Sequence, residues 1–564
     1  MSYIRRCKWD ILCFAIIIFS NPVTYYFSYS IHLIPADSIA HFLFADNLFK
    51  NGLLYIPSWG HVDTSLILPP LFPFLIGLVN LLADGTLKAS EWVNATCLLL
   101  VSVSLYLYLK GMAGRVAAVM AVVVLQLNYY YTYFAFVPLS EATFALTLCF
   151  ALLVLLRLHK HAYYSSSLSL ALGLCAALVF FSRQIGLFMY VFLMIWVMSQ
   201  LLARPVEQRA ALAKSLALIS AGWFVLTVPY ALVLHQQTGQ SPMQQWFRSY
   251  EYVVRTDDPK VTAEIMKLND LPTASYNDAY QKQRLLRALL PDGSEMLSKV
   301  VLVDAGSQLD EDNSAVSQAL AALVNPSVYF RRLYRNFASI NGVVGDILLY
   351  LFLASWVTPF VARSQDVSAS TRLILPACII FYLLSLSLVT GIVIRYVYII
   401  FPFVIAHVAC ELFFCLNKWR GKSPIAIAAI ALFFFGLAIA STPKYSPERK
   451  FWPKAPIERT MLGTFRDHVQ PAEPVFSVTP FLSYGAGGTY RILPNDSLAK
   501  VVAYGKKTGV RWILISKMRG HLEEIKFYNQ ASWYLGTSLE ADYPELVRLC
   551  CSIGGAFFLY EIIQ

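Results

Sequence analysis

Six charged or aromatic side chains sit where apolar runs end and could do chemistry there. Asp37 follows Pro35 and opens the stretch Asp37 to Lys50. A carboxylate in that place can take a proton from an incoming hydroxyl, a role worth typically 100-fold to 10,000-fold in rate. It can equally serve as the N-cap of the helix it opens, where free N–H groups and the helix dipole favour an anion. Asp63 is a second carboxylate, two residues after His61, and Glu141 follows Pro138-Leu139-Ser140, where it could cap the next helix or assist the first carboxylate. Arg183, in Phe181-Ser182-Arg183-Gln184, and Arg395, in Ile394-Arg395-Tyr396, each suit a phosphate through paired N–H donors, or snorkel among lipid headgroups. Two such arginines together with carboxylates point to an anionic lipid substrate.

Metal chemistry is less well supported. His41 lies four residues after Asp37, and either this pair or His61 with Asp63 could hold an ion or simply be hydrogen-bonded, so the metal is unknown. The ten cysteines show no CxxC and no ligand-spaced His/Cys cluster, implying neither a zinc site nor a disulfide framework. Gly485-Ala486-Gly487-Gly488 lacks the surrounding unit of a dinucleotide site and is expected to be a turn. Asn94-Ala95-Thr96 fits a glycosylation acceptor but begins a span.

The elements that must position these groups are set by the bilayer. Of 564 residues 57 % are hydrophobic and 14 % charged, with mean hydropathy +0.56, against roughly 25 % charged in a soluble domain. The net charge of +11 comes in short clusters between apolar runs, which reads as topology and not as a nucleic-acid surface. Runs long enough, or nearly so, to cross about 30 Å of hydrocarbon begin near Ile11, Leu66, Trp92, Val116, Ala142, Leu168, Ile185, Leu216, Val343, Leu373, Tyr396 and Ile425. If Leu66 to Leu82 stays out of the count, the loops holding Lys110 and Arg115, Arg157 and Lys160, Arg204 to Lys214, Arg363 and Arg372, and Lys418 to Lys422 all face the cytoplasm. The opposite short connections after residue 83 then keep only Lys88, Arg183 and Arg395. Pro69, Pro70 and Pro73 open the excluded run and fit a helix that lies at, or re-enters from, the outer interface.

The expected fold is therefore a polytopic α-helical membrane protein of about eleven spans with a cytoplasmic N-terminus. Residues 1–441 form the membrane module, with a first outer loop at 30–91 carrying an amphipathic helix over 37–50, and a large outer loop at 235–341. Residues 442–564 read as a small extracytoplasmic α/β domain, with Val475–Val478, Arg511–Ser516 and Ala556–Ile563 extended and Asp496–Tyr504 and His521–Tyr528 helical. Ionisable groups are expected to be scarce inside the spans.

Three stretches resemble the GT-C superfamily of integral membrane glycosyltransferases, in particular its protein O-mannosyltransferase and aminoarabinose lipid A transferase branch. They are Pro35-Ala36-Asp37-Ser38 through Asn51-Gly52 to Pro69-Pro70-Leu71-Phe72-Pro73, then Leu139-Ser140-Glu141, then Arg395-Tyr396 followed by Phe401-Pro402. Ser38 departs from relatives that carry Asp-Glu at the first motif. The resemblance implies inverting transfer of a sugar from a polyprenyl-phosphate donor to a glycan, lipid or protein acceptor, with Asp37 as base and Glu141 in support. Arg395, Tyr396 and Arg183 would meet the lipid phosphate, and Asp63 with the Pro69-Pro70 segment would line the substrate cavity. It implies no obligatory cofactor, leaves a divalent metal open, and places the protein in a bacterial plasma membrane with its site facing outward. A polysaccharide polymerase or ligase shares polyprenyl-linked substrates but does not account for the tail domain. A lipid or sugar transporter would need inverted repeats or charges within spans.

Overall fold

The computed structural model describes residues 10–21, 36–56, 67–82, 86–127, 137–161, 163, 165–239, 288–289, 295–296, 330, 333–334, 346–361, 368–389, 399–419, 462–471, 473–494, 496–517, 532–535 and 539–563. Asp63, His61, Arg395, Tyr396, the Ile425 run, the stretch His521–Tyr528 and nearly all of the 235–341 loop lie outside the described residues.

Hydrocarbon offers backbone groups no partner but one another, so apolar runs close their hydrogen bonds as helices. The described helices of the membrane module are α1 (Asp10–Asn21), α2 (Ala36–Asn51), α3 (Leu71–Asn80), α4 (Thr86–Ala113), α5 (Arg115–Leu127), α6 (Glu141–Lys160), α7 (Ser166–Ser182), α8 (Leu187–Ala203), α9 (Val206–Thr238), α10 (Asp346–Ser355), α11 (Ala369–Val389) and α12 (Phe401–Trp419). Among the described residues five helices are long and apolar enough to cross a membrane, within α4, α6, α8, α9 and α11. In α6, 78 % of the apolar window is buried by protein, against 17 % in α9. α6 is therefore the central helix, while α9 turns Phe224, Val225, Val228 and Leu232 toward lipid.

Helix directions follow from paired contacts. Asp10, opening α1, meets Lys110 at 2.9 Å and Arg115 at 2.7 Å, while Ile17 and Ser20 meet Gln126 near the end of α5. α1 and α5 thus run parallel, which takes one net reversal between them, and α4 supplies it. α3, at ten residues, is about 15 Å long and reaches half-way across a bilayer. α7 and α9 are also parallel, with Ser169 on Ser215 at 2.9 Å and Gly173 and Gly222 at the contact. A Cβ on Gly173 would stand 2.1 Å from the Ile219 carbonyl oxygen, and one on Gly222 2.5 Å from that of Leu170. Small residues let these two backbones touch, the usual device for helices that gain nothing by hiding apolar surface from lipid.

Among the described residues, several basic connections meet at one end of the bundle. Besides the Asp10 pairs, Lys160 donates to the Gly111 carbonyl at 3.3 Å and His159 shares a hydrogen bond with Ser370 at 3.1 Å. One expectation fails here. Arg372 is not a solvated loop charge: it stands in the first turn of α11, 2 % exposed, and pairs with the equally buried Glu411 of α12 through Nε at 3.0 Å and Nη2. Thr358 also bonds Glu411, and the guanidinium lies 4.4 Å from the Phe414 ring. An ion pair inside the bundle is tolerated because each charge is met by the other and by hydrogen bonds.

The tail forms a five-stranded mixed sheet. Its strands are β1 (Pro474–Ser477), β2 (Thr489–Ile492), β3 (Trp512–Ser516), β4 (Val547–Ile553) and β5 (Phe557–Ile562), in the order β2-β1-β3-β5-β4. The β1 pairings with β2 and β3 are parallel and the rest antiparallel. β3 is buried at every position, as a central strand covered on both faces should be. α13 (Pro480–Gly485) and α14 (Leu498–Thr508) supply the crossovers, and Gly487 at φ +90° makes the turn expected of the glycine run. β2 and β4 were not anticipated from the sequence.

Gly222→Leu should force α7 and α9 apart at a backbone contact. We expect loss of about 1–3 kcal/mol or more, read as a lower Tm of the purified protein in detergent; an unchanged Tm would refute the close parallel packing. In the tail, hydrogen bonds from Arg548 and Arg511 hold Glu561 below the usual carboxylate range. Its stabilisation is present above the unfolded carboxylate value of about 4.3 and fades as pH falls through the lower folded value. The Tm gap between wild type and Glu561→Gln should therefore shrink in acid.

Candidate active site

Of the groups singled out in the sequence, Asp37, Glu141 and Arg183 lie among the described residues, at helix ends away from the Asp10, Lys110 and Lys160 contacts. α6 begins at Glu141 because Val137, Pro138 and Leu139 bring the chain in from a loop and the apolar run starts immediately after. Asn94 of α4 sets that entry, its side-chain amide donating to the Val137 carbonyl at 2.7 Å. α7 stops at Ser182, and Arg183 takes extended backbone before the short turn Gln184–Gly186 reverses the chain into α8. Gly186 is required in that reversal: a Cβ there would lie 2.3 Å from the Val179 carbonyl oxygen.

This geometry joins two residues that had been read separately. The Arg183 guanidinium reaches the Glu141 carboxylate at 2.6 Å and donates to Ser140 Oγ at 3.4 Å. The two side chains are 15 % and 2 % exposed. Ser182 and Thr147 share a further hydrogen bond at 3.2 Å one turn deeper. Glu141 is thus committed to a cation and the first helical position of α6, and the Ser140 side chain makes no cap. A guanidinium has five N–H donors, so Arg183 can bind a carboxylate and still offer others to a phosphate.

α3 packs against α4 and α7, and α2 against α3. Pro69 and Pro70 lead into α3, where Pro70 closes the first turn by accepting from Phe74 N–H at 2.9 Å. α2 packs along α3. His41 stands edge-on to Phe72 with centroids 5.0 Å apart, and the Phe49 ring lies over Gly77, where a Cβ would come within 2.2 Å of it. Asp37 occupies the first turn of α2, where backbone N–H groups lack helical partners. α2 is not the one-faced surface helix the sequence suggested. Ser38, Ile39, Ala40, His41, Phe42, Phe44 and Ala45 are all buried, because α3 covers one side and the tail domain another, with Phe42 against Tyr484 of α13 at 6.0 Å. The Gln237 side chain, at the end of α9, pins the chain after α2 by accepting from Leu54 N–H at 2.8 Å and donating to the Gly52 carbonyl at 2.9 Å. Among the described residues no three metal-ligating side chains converge around α2.

Sequence reasoning missed Asn94, Gln237 and Tyr484 as supports. A buried amide inside an apolar run was a usable signal for Asn94. Gln237 and Tyr484 are ordinary residues whose partners are distant in the chain.

A family model described as dolichyl-phosphate-mannose-protein mannosyltransferase matches residues 68–232, from Pro69 and Pro70 through Glu141 and Arg183 into α9. The archaeal oligosaccharyltransferase AglB from Archaeoglobus fulgidus, solved in complex with an inhibitory peptide and a dolichol-phosphate, is similar in fold. Its TM-score is 0.54 at 12 % identity, over 98 % of this chain and 74 % of that one. An Archaeoglobus fulgidus oligosaccharyltransferase in complex with Zn and sulfate gives a TM-score of 0.53 at 12 % identity, over 97 % of this chain and 72 % of that one. ArnT from Cupriavidus metallidurans bound to undecaprenyl phosphate gives 0.44 at 12 % identity, over 99 % and 98 %. No curated protein matches the chain.

A buried pair predicts strong coupling. Glu141→Gln or Arg183→Met alone strands one charge and should cost about 3–5 kcal/mol, whereas the double variant should recover much of that loss. Thermal unfolding of the four proteins measures it; strictly additive losses would show that the pair is not an energetic unit.

Proposed function

We propose that this integral membrane protein, whose chain has the GT-C fold, is an inverting glycosyltransferase that takes its sugar from a polyprenyl-phosphate donor. The observation that carries the reading is a likeness in fold over 98 % of the chain to an enzyme solved with a dolichol-phosphate. The family-model match over residues 68–232 supports it from the sequence side. Fold alone does not assign chemistry, so the residues must carry the rest.

In the proposed reaction Asp37 accepts the proton of the acceptor's hydroxyl or amine. The freed electron pair forms a bond to the anomeric carbon as that carbon's bond to the phosphate oxygen breaks, so its configuration inverts. The polyprenyl phosphate leaves with the bonding electrons. Arg395 and Tyr396, assisted by Arg183, stabilise the charge that develops on it, which is where a fixed donor contributes most to rate. Glu141 holds Arg183 in place for that task. Asp63, Pro69 and Pro70 are assigned to binding the donor. An Archaeoglobus fulgidus oligosaccharyltransferase of similar fold was solved with Zn and sulfate, which leaves a divalent metal open as an added cofactor.

The site and tail are proposed to face away from the cytoplasm, in a bacterial plasma membrane. Support comes from the contacts that gather Asp10, Lys110, Arg115 and Lys160 at the other end, as the excess of cytoplasmic Lys and Arg requires. The acceptor is a glycan, lipid or protein that reaches α2 past the tail.

Purified protein in detergent, given a panel of radiolabelled polyprenyl-phosphate sugars, should release or transfer sugar from one of them. Asp37→Asn should lower that turnover about 100-fold or more while keeping the wild-type Tm. Full turnover in a folded Asp37→Asn variant would remove the base assignment, and no turnover with any donor would remove the reading.

A further inference from the structure

The tail domain brings together three metal-ligating side chains that the sequence keeps far apart. We propose that His468, Cys550 and Cys551 form a binding site for a thiophilic divalent ion of the Zn2+ class, which staples the edge strand of the sheet to the turn that precedes it. The inference is independent of the glycosyltransferase reading and concerns a different part of the molecule from α2.

Two neighbouring residues of a regular strand point to opposite faces, so adjacent cysteines ordinarily cannot reach one ion. β4 is not regular there. Leu549 pairs with Tyr560 and Cys551 with Leu559, its next neighbour, so Cys550 is an extra residue in a β-bulge. A bulge re-aims the side chains beside it. Burial follows: Arg548 and Ser552 are exposed, while Leu549, Cys550 and Cys551 are all half-buried in succession. Both sulfurs are free thiols, and β4 is the outermost strand of the sheet.

His468 comes from the other direction. It ends the short 3-10 turn Thr464–Asp467, where its N–H bonds the Phe465 carbonyl, and its ring is exposed. One ligand atom from each of the three residues lies within 4.8 Å of the others. Around tetrahedral zinc, bonds of about 2.0–2.3 Å set ligand atoms roughly 3.3–3.8 Å apart. Closing that difference takes about 1 Å of side-chain motion, which an exposed imidazole on a turn can make. Two thiolates and an imidazole are the soft donor set that selects zinc over magnesium or calcium. Two thiolates also neutralise the ion's charge, and the fourth position stays open to water. Zinc binds the thiolate form of cysteine, so an ion must displace protons on binding.

The full-length protein in detergent, reduced and stripped with a chelator, should be titrated with Co2+ and then Zn2+. We expect one Co2+ per chain with a thiolate-to-metal absorption band, displaced by one equivalent of Zn2+. Cys550→Ser and Cys551→Ser should abolish the band, and His468→Gln should weaken binding at least tenfold. Zn2+ should also slow maleimide labelling of Cys550 and Cys551 in the unaltered protein, a measurement that needs no variant to fold. The proposal is overturned by Co2+ binding without a sulfur band, by a band that survives both serine variants, by labelling that Zn2+ does not slow, or by a Cys550–Cys551 disulfide in freshly isolated protein.

Discussion

A carboxylate that is 2 % exposed is costly to bury without a cation against it, and the pairing of Glu141 with Arg183 is the constraint on which this end of the molecule is built. To meet, the end of α7 and the start of α6 must stand at one level, which the Ser182–Thr147 hydrogen bond one turn deeper repeats. Asn94 then ties α4 to the same level through the Val137 carbonyl. Three helices that could slide along one another in a uniform apolar bundle are thereby held in register by polar contacts, each of which loses its partner if the register shifts. α3 packs on two of these helices, α4 and α7, and α2 packs on α3.

Much of this was legible because the bilayer leaves few alternatives. The clusters at Lys110 and Arg115 and at Lys160 were assigned to one side from charge alone, and the structure joins them by direct contacts with Asp10 and Gly111. The charge count argued against a crossing at Leu66–Leu82, where prolines at 69, 70 and 73 fit an interfacial helix, and a ten-residue helix spans Leu71–Asn80. The readings that failed did so for one physical reason, that burial is a property of pairs. Arg372 looked like one more basic loop residue, and Glu411 had nothing near it in sequence to mark it as its partner. His468 lacked any ligand-like spacing to Cys550 and Cys551, and the bulge that aligns the two sulfurs depends on the register with β5. α2 read as half-exposed because its second cover, α13, lies far along the chain.

The membrane module shows two distinct ways of holding helices together. Where α7 meets α9 the contact is made by absence, with Ser169, Gly173, Ser215 and Gly222 leaving room for backbones to touch. Where α11 meets α12 it is made by charge, with Arg372 and Glu411 buried together. The first gains dispersion contacts without any loss to lipid. The second gains little net energy over a well-packed apolar pair but penalises every arrangement in which the charges miss. Both contacts are short-ranged, so together they specify helix positions more sharply than apolar packing can.

That sharpness matters most at α2, which lies in a connection between crossings and would otherwise be free to drift. Chemistry at a helix start demands placement to within about 0.5 Å, held by neighbours whose own positions are locked. Three ties from remote parts of the chain supply it. Phe49 seats α2 on Gly77 of α3, the Gln237 side chain clamps the chain leaving α2 by hydrogen bonds to two backbone groups, and Tyr484 of the tail meets Phe42 just over a turn beyond Asp37. α9, at 33 residues and about 50 Å, is longer than the hydrocarbon is thick, and the excess is what lets Gln237 reach α2. The tail domain is therefore a structural partner of the first loop: loosening its sheet would release one of the three ties on the helix that carries the candidate base.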